Sequence, residues 1–288
     1  MSSETVTPQK RIAMVCTRYT NRPLHHEFVR NITKLDWRNS AADLYIYWHG
    51  DYPVLTTTEL QLIPEVKEVA YVEGTQGKFP PMTKYIFNDF IPYDEYEFIG
   101  LMDDDCYYLD PVEGMKQILR CFDMTQQVAA VGPTGSYRLF KKYKLTGRED
   151  QLFNQFPGPP WATLGSQVYR IKALRQCNLD FLNNLKFRMD VPLFLLLFGM
   201  GYMVGETNIR FNHKVSGGLN GAQYSSDFYR ERLKQSAADY DVMWTAIKPQ
   251  IDESQRNYVF HELMRCRNNE QNHTNKQLAK FLEGLVSI

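Results

Sequence analysis

The chain has 288 residues, with 33 basic and 33 acidic side chains and a formal net charge of zero at pH 7. This balance excludes an overall field that draws the protein to nucleic acid or to a membrane surface, so binding to a polyanion would need a local patch. The five cysteines lack CxxC spacing, which argues against a zinc ribbon or a disulfide framework and indicates a reducing compartment (Cys16, Cys106, Cys121, Cys177 and Cys266).

The sequence carries no signal for export or for membrane insertion. Residues 1–10 are polar and lack an apolar signal core. The longest apolar stretch, residues 191–204, is interrupted by glycines and is too short to span a bilayer. We therefore expect a cytoplasmic protein.

The first third of the chain alternates apolar runs with polar or amphipathic segments. Strands are predicted at residues 11–17 and 43–48 and within residues 65–72, because each run is apolar and rich in β-branched or aromatic residues. Helices are predicted over residues 24–35 and 82–90. This alternation indicates an α/β domain with a mainly parallel sheet flanked by helices.

Residues 98–108 carry the strongest chemical signal. The apolar start predicts a buried strand, and Asp103, Asp104 and Asp105 follow at its carboxyl end, where open α/β sheets bind ligands. Adjacent carboxylates repel one another unless solvent or a cation relieves them, and a hard divalent cation with oxygen ligands would do so. The alternative is an acidic turn in which Asp110 caps the next helix.

Asp110 and Pro111 are good helix-start residues, so a helix is predicted to about residue 123, followed by a strand at 128–132. Residues 133–160 are rich in Gly and Pro. They contain a basic and aromatic cluster, and a loop this long in a compact domain is usually functional or disordered (Tyr137, Arg138, Phe140, Lys141, Lys142, Tyr143 and Lys144).

The last part of the chain returns to regular patterns. A strand is predicted at 161–170, a helix opening at Asp190 with Pro192 in its first turn, and a strand at 202–205. From residue 225 the spacing is helical and polar. We expect a domain over residues 10–224 and a C-terminal helical extension over 225–288 that packs on it.

The ordered set of motifs resembles the GT-A fold (Rossmann-like) nucleotide-sugar glycosyltransferases, particularly the family-2-like members. In that group an apolar strand ends in a DxD-type motif, which Asp103 and Asp105 match. A later Glu-Asp pair opens a helix that leads to a Gly-Tyr turn. Here Asp190 matches the second acid, whereas Met189 replaces the first.

The turn of that pattern is matched by Gly201 and Tyr202. In related GT-A enzymes a histidine after the next strand often completes metal binding, and His213 falls in that place. The resemblance covers about residues 10–220. It implies a GT-A fold and metal-dependent transfer of a sugar from a nucleotide-sugar donor, such as a UDP-linked one, to an acceptor hydroxyl.

The resemblance also implies roles for single residues. Asp105, with Asp103 and His213, would hold Mn²⁺ or Mg²⁺, and a histidine ligand would favour Mn²⁺. Asp190 would be the general base of an inverting displacement, although retaining GT-A enzymes can also carry an acid there and the residue could instead cap its helix. Donor contacts are predicted for Arg18, Asn21, Arg22, Lys84, Asp103, Asp104, Lys214, Gly217 and Gly218. The alternatives are that Arg22 and Lys84 are surface charges and that Gly217 and Gly218 form a simple turn.

The acceptor is the least constrained part. A basic and aromatic loop suits phosphates and unstacked bases, and a compact cytosolic GT-A enzyme resembles the phage enzymes that glycosylate hydroxymethylated pyrimidines in DNA. The acceptor base would then be flipped from its stack. Contacts with the acceptor are predicted for Tyr137, Arg138, Lys141, Lys142 and Trp161.

Other interpretations stay open. The loop could be a solvated segment that serves a glycan, protein or small-molecule acceptor, and Trp161 could be a core residue. A different class of function is a nucleotidyltransferase or a non-catalytic nucleotide-binding module. Sugar-nucleotide pyrophosphorylases carry a Gly-rich loop after the first strand, and residues 16–22 contain no glycine, which disfavours that class.

Overall fold

The computed structural model describes residues 9–19, 35–50, 66–73, 85–103, 106–133, 154–155, 166–185, 190–209, 211–213 and 226–286, with the backbone alone at some positions inside these ranges. The strands in these ranges are β1 (Ile12–Tyr19), β2 (Ala42–Gly50), β3 (Val66–Glu73), β4 (Phe98–Asp103), β5 (Cys106–Tyr108), β6 (Val128–Pro133), β7 (Asn154–Gln155), β8 (Ser166–Arg170), β9 (Met203–Thr207) and β10 (Phe211–His213).

The helices are α1 (Pro111–Met124), α2 (Ile171–Leu174), α3 (Asp190–Gly199), α4 (Ser226–Ile247) and α5 (Arg256–Val286). The helix predicted over 82–90 is described from Tyr85 and forms a π-helical turn at Ile86–Phe90, and 3₁₀ turns lie at Asp180–Asn184, Lys248–Gln250 and Glu253–Gln255. The helix predicted over 24–35 falls almost wholly outside the described residues.

Eight of the described strands form one mixed sheet in the order β3-β2-β1-β4-β8-β6-β9-β7. The pairs β1–β2, β1–β4, β2–β3 and β6–β9 are parallel, whereas β8 runs antiparallel to both of its neighbours and β7 antiparallel to β9. The predicted α/β class with a mainly parallel sheet is confirmed. The parallel strands define two ends, here called the amino edge and the carboxyl edge of the sheet.

The predicted start of α1 is also confirmed. Asp110 is the N-cap, its Oδ1 accepts a hydrogen bond of 3.0 Å from the Glu113 amide, and Pro111 is the first helical residue. This cap satisfies one of the amides that a helix start leaves without a partner. Since α1 leads back to β6 at the amino edge, it begins at the carboxyl edge.

Successive side chains of the central strands belong alternately to two separate hydrophobic cores, one on each face of the sheet. Phe98 and Met102 of β4 belong to the core that includes Phe122 of α1, whereas Leu101 belongs to the core that includes Leu193 of α3. This is the period of two that a strand imposes. Helix α1 therefore covers one face of the sheet, and α3 covers the other.

Helices α4 and α5 pack against α3 and extend its core. Val259, Leu263 and Met243 are fully buried in the same core as α3. A Cβ added at Gly199 would lie 2.5 Å from Cγ2 of Ile251, so only glycine permits this approach. None of the helices in the described ranges is long and apolar enough to cross a membrane.

Basic side chains at the amino edge are bound to backbone carbonyls. The buried Arg170 donates from Nε to the Val128 carbonyl at 2.9 Å and from Nη2 to the Phe122 carbonyl at 2.8 Å. Its guanidinium lies 5.1 and 5.2 Å from the ring centroids of Phe98 and Phe122. Lys10 Nζ lies within 3.1 Å of four carbonyl oxygens, those of Trp37, Arg38 and Ser40 in the loop before β2 and that of Ala42, the first residue of β2.

Arg11 adds an ion-pair network at the same edge. Its Nε lies 2.6 Å from Glu97 Oε1, and its Nη2 lies 3.0 Å from Asp123 Oδ1. The bond from Arg11 holds the pKa of Glu97 below its ordinary value. The network joins the start of β1 to the residue before β4 and to the last turn of α1, so it aligns the elements whose other ends form the carboxyl edge.

Candidate functional site

Asp103 ends β4 at the rim of the carboxyl edge. The five residues before it in the strand are buried, and Asp103 is half-buried. In the parallel register Asp103 lies beside Thr17, and Thr17 lies beside Tyr47. The Thr17 hydroxyl donates to the Met102 carbonyl at 3.4 Å. The first acid of the triplet is thus held by the buried strands rather than by a loose turn.

Helix α3, which begins at Asp190, lies over the same face of the sheet as Asp103. By the alternation of β4, Asp103 lies on the side of Leu101, which is the side that α3 covers. After α3 the chain returns to the amino edge, where the Met203 amide donates to the Gln127 carbonyl at 2.8 Å. Asp190 and Asp103 therefore lie on the same side of the sheet.

A small second sheet brings His213 to the acid triplet. Strands β5 and β10 pair antiparallel, with His213 opposite Cys106 and Phe211 opposite Tyr108. Facing Cα atoms in such a ladder lie about 4.5–5.5 Å apart. Because Cys106 directly follows Asp105 in the chain, the backbone of His213 lies next to the end of the triplet.

The residues of β5 are anchored to the main sheet. Tyr108 is fully buried, and its hydroxyl lies 2.7 Å from Ser166 Oγ at the start of β8. Ser166 in turn pairs with Met102, the residue before Asp103. Both sides of the segment that carries Asp104 and Asp105 are therefore tied to β4.

A buried carboxylate, Glu206, lies at the carboxyl edge of β9 and was missed by sequence reasoning. Its residue is 2% exposed, and it pairs with Gly132 of β6 and Asn154 of β7. Its neighbour Thr207 accepts a hydrogen bond of 3.2 Å from Gln117 of α1. The signal was available, because Glu206 follows an apolar strand as Asp103 does.

The other predicted site residues are placed only in part. Arg18 is the next-to-last residue of β1, and its backbone lies at the carboxyl edge. Among the side chains that the structure describes, no group of three or more His, Cys, Asp or Glu could hold a metal ion. The remaining predicted contacts fall outside the described residues: Asn21, Arg22, Lys84, Asp104, Asp105, Tyr137, Arg138, Lys141, Lys142, Trp161, Lys214, Gly217 and Gly218.

The donor types gathered here suit a divalent cation. The carboxylates of the triplet are hard oxygen ligands, and an imidazole is a ligand that Mn²⁺ accepts more readily than Mg²⁺ does. Helix α1 begins at this edge, so the positive end of one helix dipole lies at the edge as well. These groups are of the types that suit a cation together with an anionic ligand.

No protein-family model matches the sequence, and no curated protein matches it either. Solved structures do match in fold. One is the mannosyltransferase PcManGT from Pyrobaculum calidifontis in complex with GDP-Man and Mn²⁺, with 13% identity and a TM-score of 0.52 over 98% of this chain and 76% of that chain. Another is S. aureus TarS, with 13% identity and a TM-score of 0.53 over 94% of this chain and 43% of that chain. These likenesses confirm the predicted GT-A-like fold.

Proposed function

We propose that this chain is a metal-dependent glycosyltransferase that moves a sugar from a nucleotide-sugar donor to an acceptor hydroxyl. The observation that carries the proposal is that β4 ends in Asp103 at the carboxyl edge, while β10, which carries His213, pairs with the strand that directly follows the acid triplet. A fold shared with a mannosyltransferase that was solved with GDP-Man and Mn²⁺ supports it.

For the metal, we assign Asp105, Asp103 and His213 as ligands. The pairing of His213 with Cys106 supports this set, because Cys106 directly follows Asp105 in the chain. The histidine is thereby brought close to acids that are about a hundred residues away in the sequence. Mn²⁺ fits the mixed ligands better than Mg²⁺. When bound, such an ion would stabilise the charge that develops on the departing nucleoside diphosphate.

For the donor, we assign Asp103, Asp104 and Arg18 at the carboxyl edge, together with the residues that the resemblance implies (Asn21, Arg22, Lys84, Lys214, Gly217 and Gly218). Asp103 would contact the ribose or the water shell of the metal. Lys214 and the two glycines would approach the diphosphate, since backbone amides and a lysine are suited to phosphate oxygens. A UDP-linked donor is the one proposed.

For the acceptor side, Asp190 is the proposed general base. The acceptor oxygen forms a bond to the anomeric carbon, the bond from that carbon to the diphosphate oxygen breaks, and the acceptor proton moves to the Asp190 carboxylate. Attack opposite to the leaving group inverts the configuration. NMR of the first product formed distinguishes the outcomes: an inverted anomer is expected, and a retained one contradicts this role.

The proposed acceptor is a hydroxymethylated pyrimidine in DNA. The support is the basic and aromatic composition of residues 137–148, which suits phosphates and unstacked bases. Mass spectrometry of hydroxymethylated DNA after incubation with each active donor is the test. An unchanged mass with every donor rejects DNA, and a parallel panel of glycan, protein and small-molecule acceptors then identifies the class.

Replacing Lys141, Lys142 and Lys144 with Gln tests the same loop by a second route. Fewer phosphate contacts should weaken DNA binding and flatten its dependence on salt. The matched control replaces Lys234, Lys248 and Lys276 of the C-terminal helices, which removes the same charge elsewhere. Equal losses in the two variants would contradict a specific role of the loop.

The proposed activity is tested with a panel of UDP- and GDP-linked sugars in Mn²⁺, followed by EDTA. We expect release of a nucleoside diphosphate that stops when EDTA removes the metal. Release of a sugar 1-phosphate would instead identify a nucleotidyltransferase, because such an enzyme transfers the nucleoside monophosphate and leaves the outer phosphate on the sugar. Binding of a donor without any turnover or metal dependence would identify a non-catalytic module.

A further inference from the structure

We propose that Tyr108 is a positioning residue of the metal site, and that its hydrogen bond to Ser166 fixes the strand pair β5–β10, which carries His213, relative to Asp103 at the end of β4. The inference rests on the proposed function, since it assumes that these residues hold a metal. Tyr108 does not touch the metal in this scheme. It acts through the backbone of β5, which follows the triplet, and of β10, which carries His213.

The hydrogen bond links the strand after the triplet to the strand before it, through Ser166 of β8. The Tyr108 hydroxyl lies 2.7 Å from Ser166 Oγ, and both residues are buried. Ser166 is paired with Met102, so one end of the bond is fixed to the strand that leads into Asp103. The other end is fixed to the strand that leaves Asp105. The bond therefore restrains β5 relative to the end of β4.

The ring of Tyr108 fixes the second sheet in the other directions. It meets the Trp37 ring edge-on at a centroid distance of 6.0 Å and the Phe211 ring at 5.1 Å. A Cβ added at Gly114 of α1 would lie 3.0 Å from Tyr108 Cδ1, so no space separates the ring from the helix. Phe211 precedes His213 by two residues, and the same ring thus restrains both strands of the metal site.

Replacing Tyr108 with Phe isolates the hydroxyl. The ring contacts remain, and the Ser166 hydroxyl loses its partner in a buried position, where one missing bond loosens the local geometry. Residues that orient metal ligands from outside the coordination shell commonly change metal affinity about 10-fold or more when they are replaced. We expect the Kd of Mn²⁺ to rise about tenfold in Tyr108→Phe.

Tyr45→Phe is the matched control. Tyr45 is also fully buried, and its hydroxyl lies 2.9 Å from another hydroxyl, that of Tyr96, near the amino edge. The two variants remove the same atom from the same kind of bond. They should lower the melting temperature by similar amounts, but only Tyr108→Phe should weaken Mn²⁺ binding.

The experiment titrates Mn²⁺ alone into the full chain and follows free Mn²⁺ by electron paramagnetic resonance, for the wild type, Tyr108→Phe, Ser166→Ala, the double variant and Tyr45→Phe. We expect each single change at the Tyr108–Ser166 bond to raise the Kd about tenfold. The double variant should match the single ones, because both remove the same bond.

The outcomes separate this inference from the proposed function. If the wild type and Tyr108→Phe bind Mn²⁺ equally well, the role of Tyr108 is overturned and the proposed function stands. Equal losses in Tyr108→Phe and Tyr45→Phe also overturn it, as does an additive double variant. A wild type that binds no Mn²⁺ overturns the metal site of the proposed function, and this inference with it.

Discussion

At the amino edge of the sheet Arg170 and Lys10 are bound to backbone carbonyls, whereas at the carboxyl edge the strand β4 ends in the half-buried Asp103. The first arrangement uses charge to hold elements together. An arginine with donors on two buried carbonyls contributes to the fold and has little left to offer a ligand. The second arrangement places three adjacent acids at the end of a strand, where their mutual repulsion costs stability unless a cation is present. The difference separates charges that build the molecule from charges that could act on a ligand.

The largest expected effect breaks the carboxyl edge. Asp105→Asn should lower glycosyl transfer about a thousandfold, because losing a metal ligand forfeits roughly 4 kcal/mol of transition-state stabilisation. Steady-state kinetics at saturating Mn²⁺ measures this. The control Asp110→Asn changes an acid of the same stretch, and Asn caps helix α1 equally well, so activity should persist. Full activity of Asp105→Asn would contradict the assigned ligand.

The next effect breaks the amino edge. Arg170→Met leaves the carbonyls of Val128 and Phe122 without their donor, and we expect a loss of about 3 kcal/mol in the free energy of unfolding. Urea titration measures it. Arg175→Met is the matched control, because its exposed ion pair with Asp94 should contribute less than about 1 kcal/mol. A lower kcat in Arg170→Met with an unchanged free energy of unfolding would contradict the structural role assigned to Arg170.

A smaller effect concerns α3, which lies on the same side of the sheet as Asp103. Gly199→Ala places a Cβ 2.5 Å from Ile251 Cγ2 and 2.8 Å from Ile251 Cβ, so the helix and the C-terminal extension must move apart. Overpacking of this kind costs about 2 kcal/mol. Thermal unfolding measures the loss, and the added Ile251→Ala should make the Gly199→Ala step nearly neutral. An equal cost in both backgrounds would contradict this contact as the cause.

The smallest effect is a pH dependence at the amino edge. The Arg11 bond lowers the pKa of Glu97 below its ordinary 4.5, so its contribution is full above that value and is lost as pH falls through the lowered pKa. Glu97→Gln should therefore flatten the acid side of the stability curve by less than about 1 kcal/mol, since the pair is partly exposed. Urea unfolding between about pH 3 and pH 6 measures it. Asp94→Asn removes a carboxylate from an exposed ion pair elsewhere, and a flattening as large as that of Glu97→Gln would contradict the role of the Arg11 bond.

The elements that sequence reasoning predicted well have local causes. The strand before Asp103 is an uninterrupted apolar run, and the start of α1 combines a capping Asp with a Pro that needs no amide partner. The alternation of such segments predicted the α/β class. The edge where Asp103 lies followed from the same rule, since parallel strands end together.

The elements that sequence reasoning missed depend on pairing between segments that are far apart in the chain. Strands β5 and β10 have three residues each, and nothing in either indicates the other, so their pairing came only from the fold. The resemblance had grouped His213 with the acids without indicating this pairing. The direction of β8 was equally hidden, because an antiparallel strand inside a mainly parallel sheet has the same apolar run. Nothing in the sequence distinguishes Arg170 from an exposed arginine, although its side chain donates to two buried carbonyls.

The place of β8 has a consequence for protein synthesis. Strand β8 lies between β4 and β6, so these two strands never pair with each other. While the ribosome has made β6 but not yet Ser166–Arg170, β4 has only β1 beside it and β6 has neither neighbour, since β9 comes later still. Unpaired strand edges of this kind attract chaperones and favour aggregation. The nascent chain must therefore keep the sheet of β3, β2, β1 and β4 apart from the single strand β6 until one short strand, the last made of β1, β4, β6 and β8, lies between them.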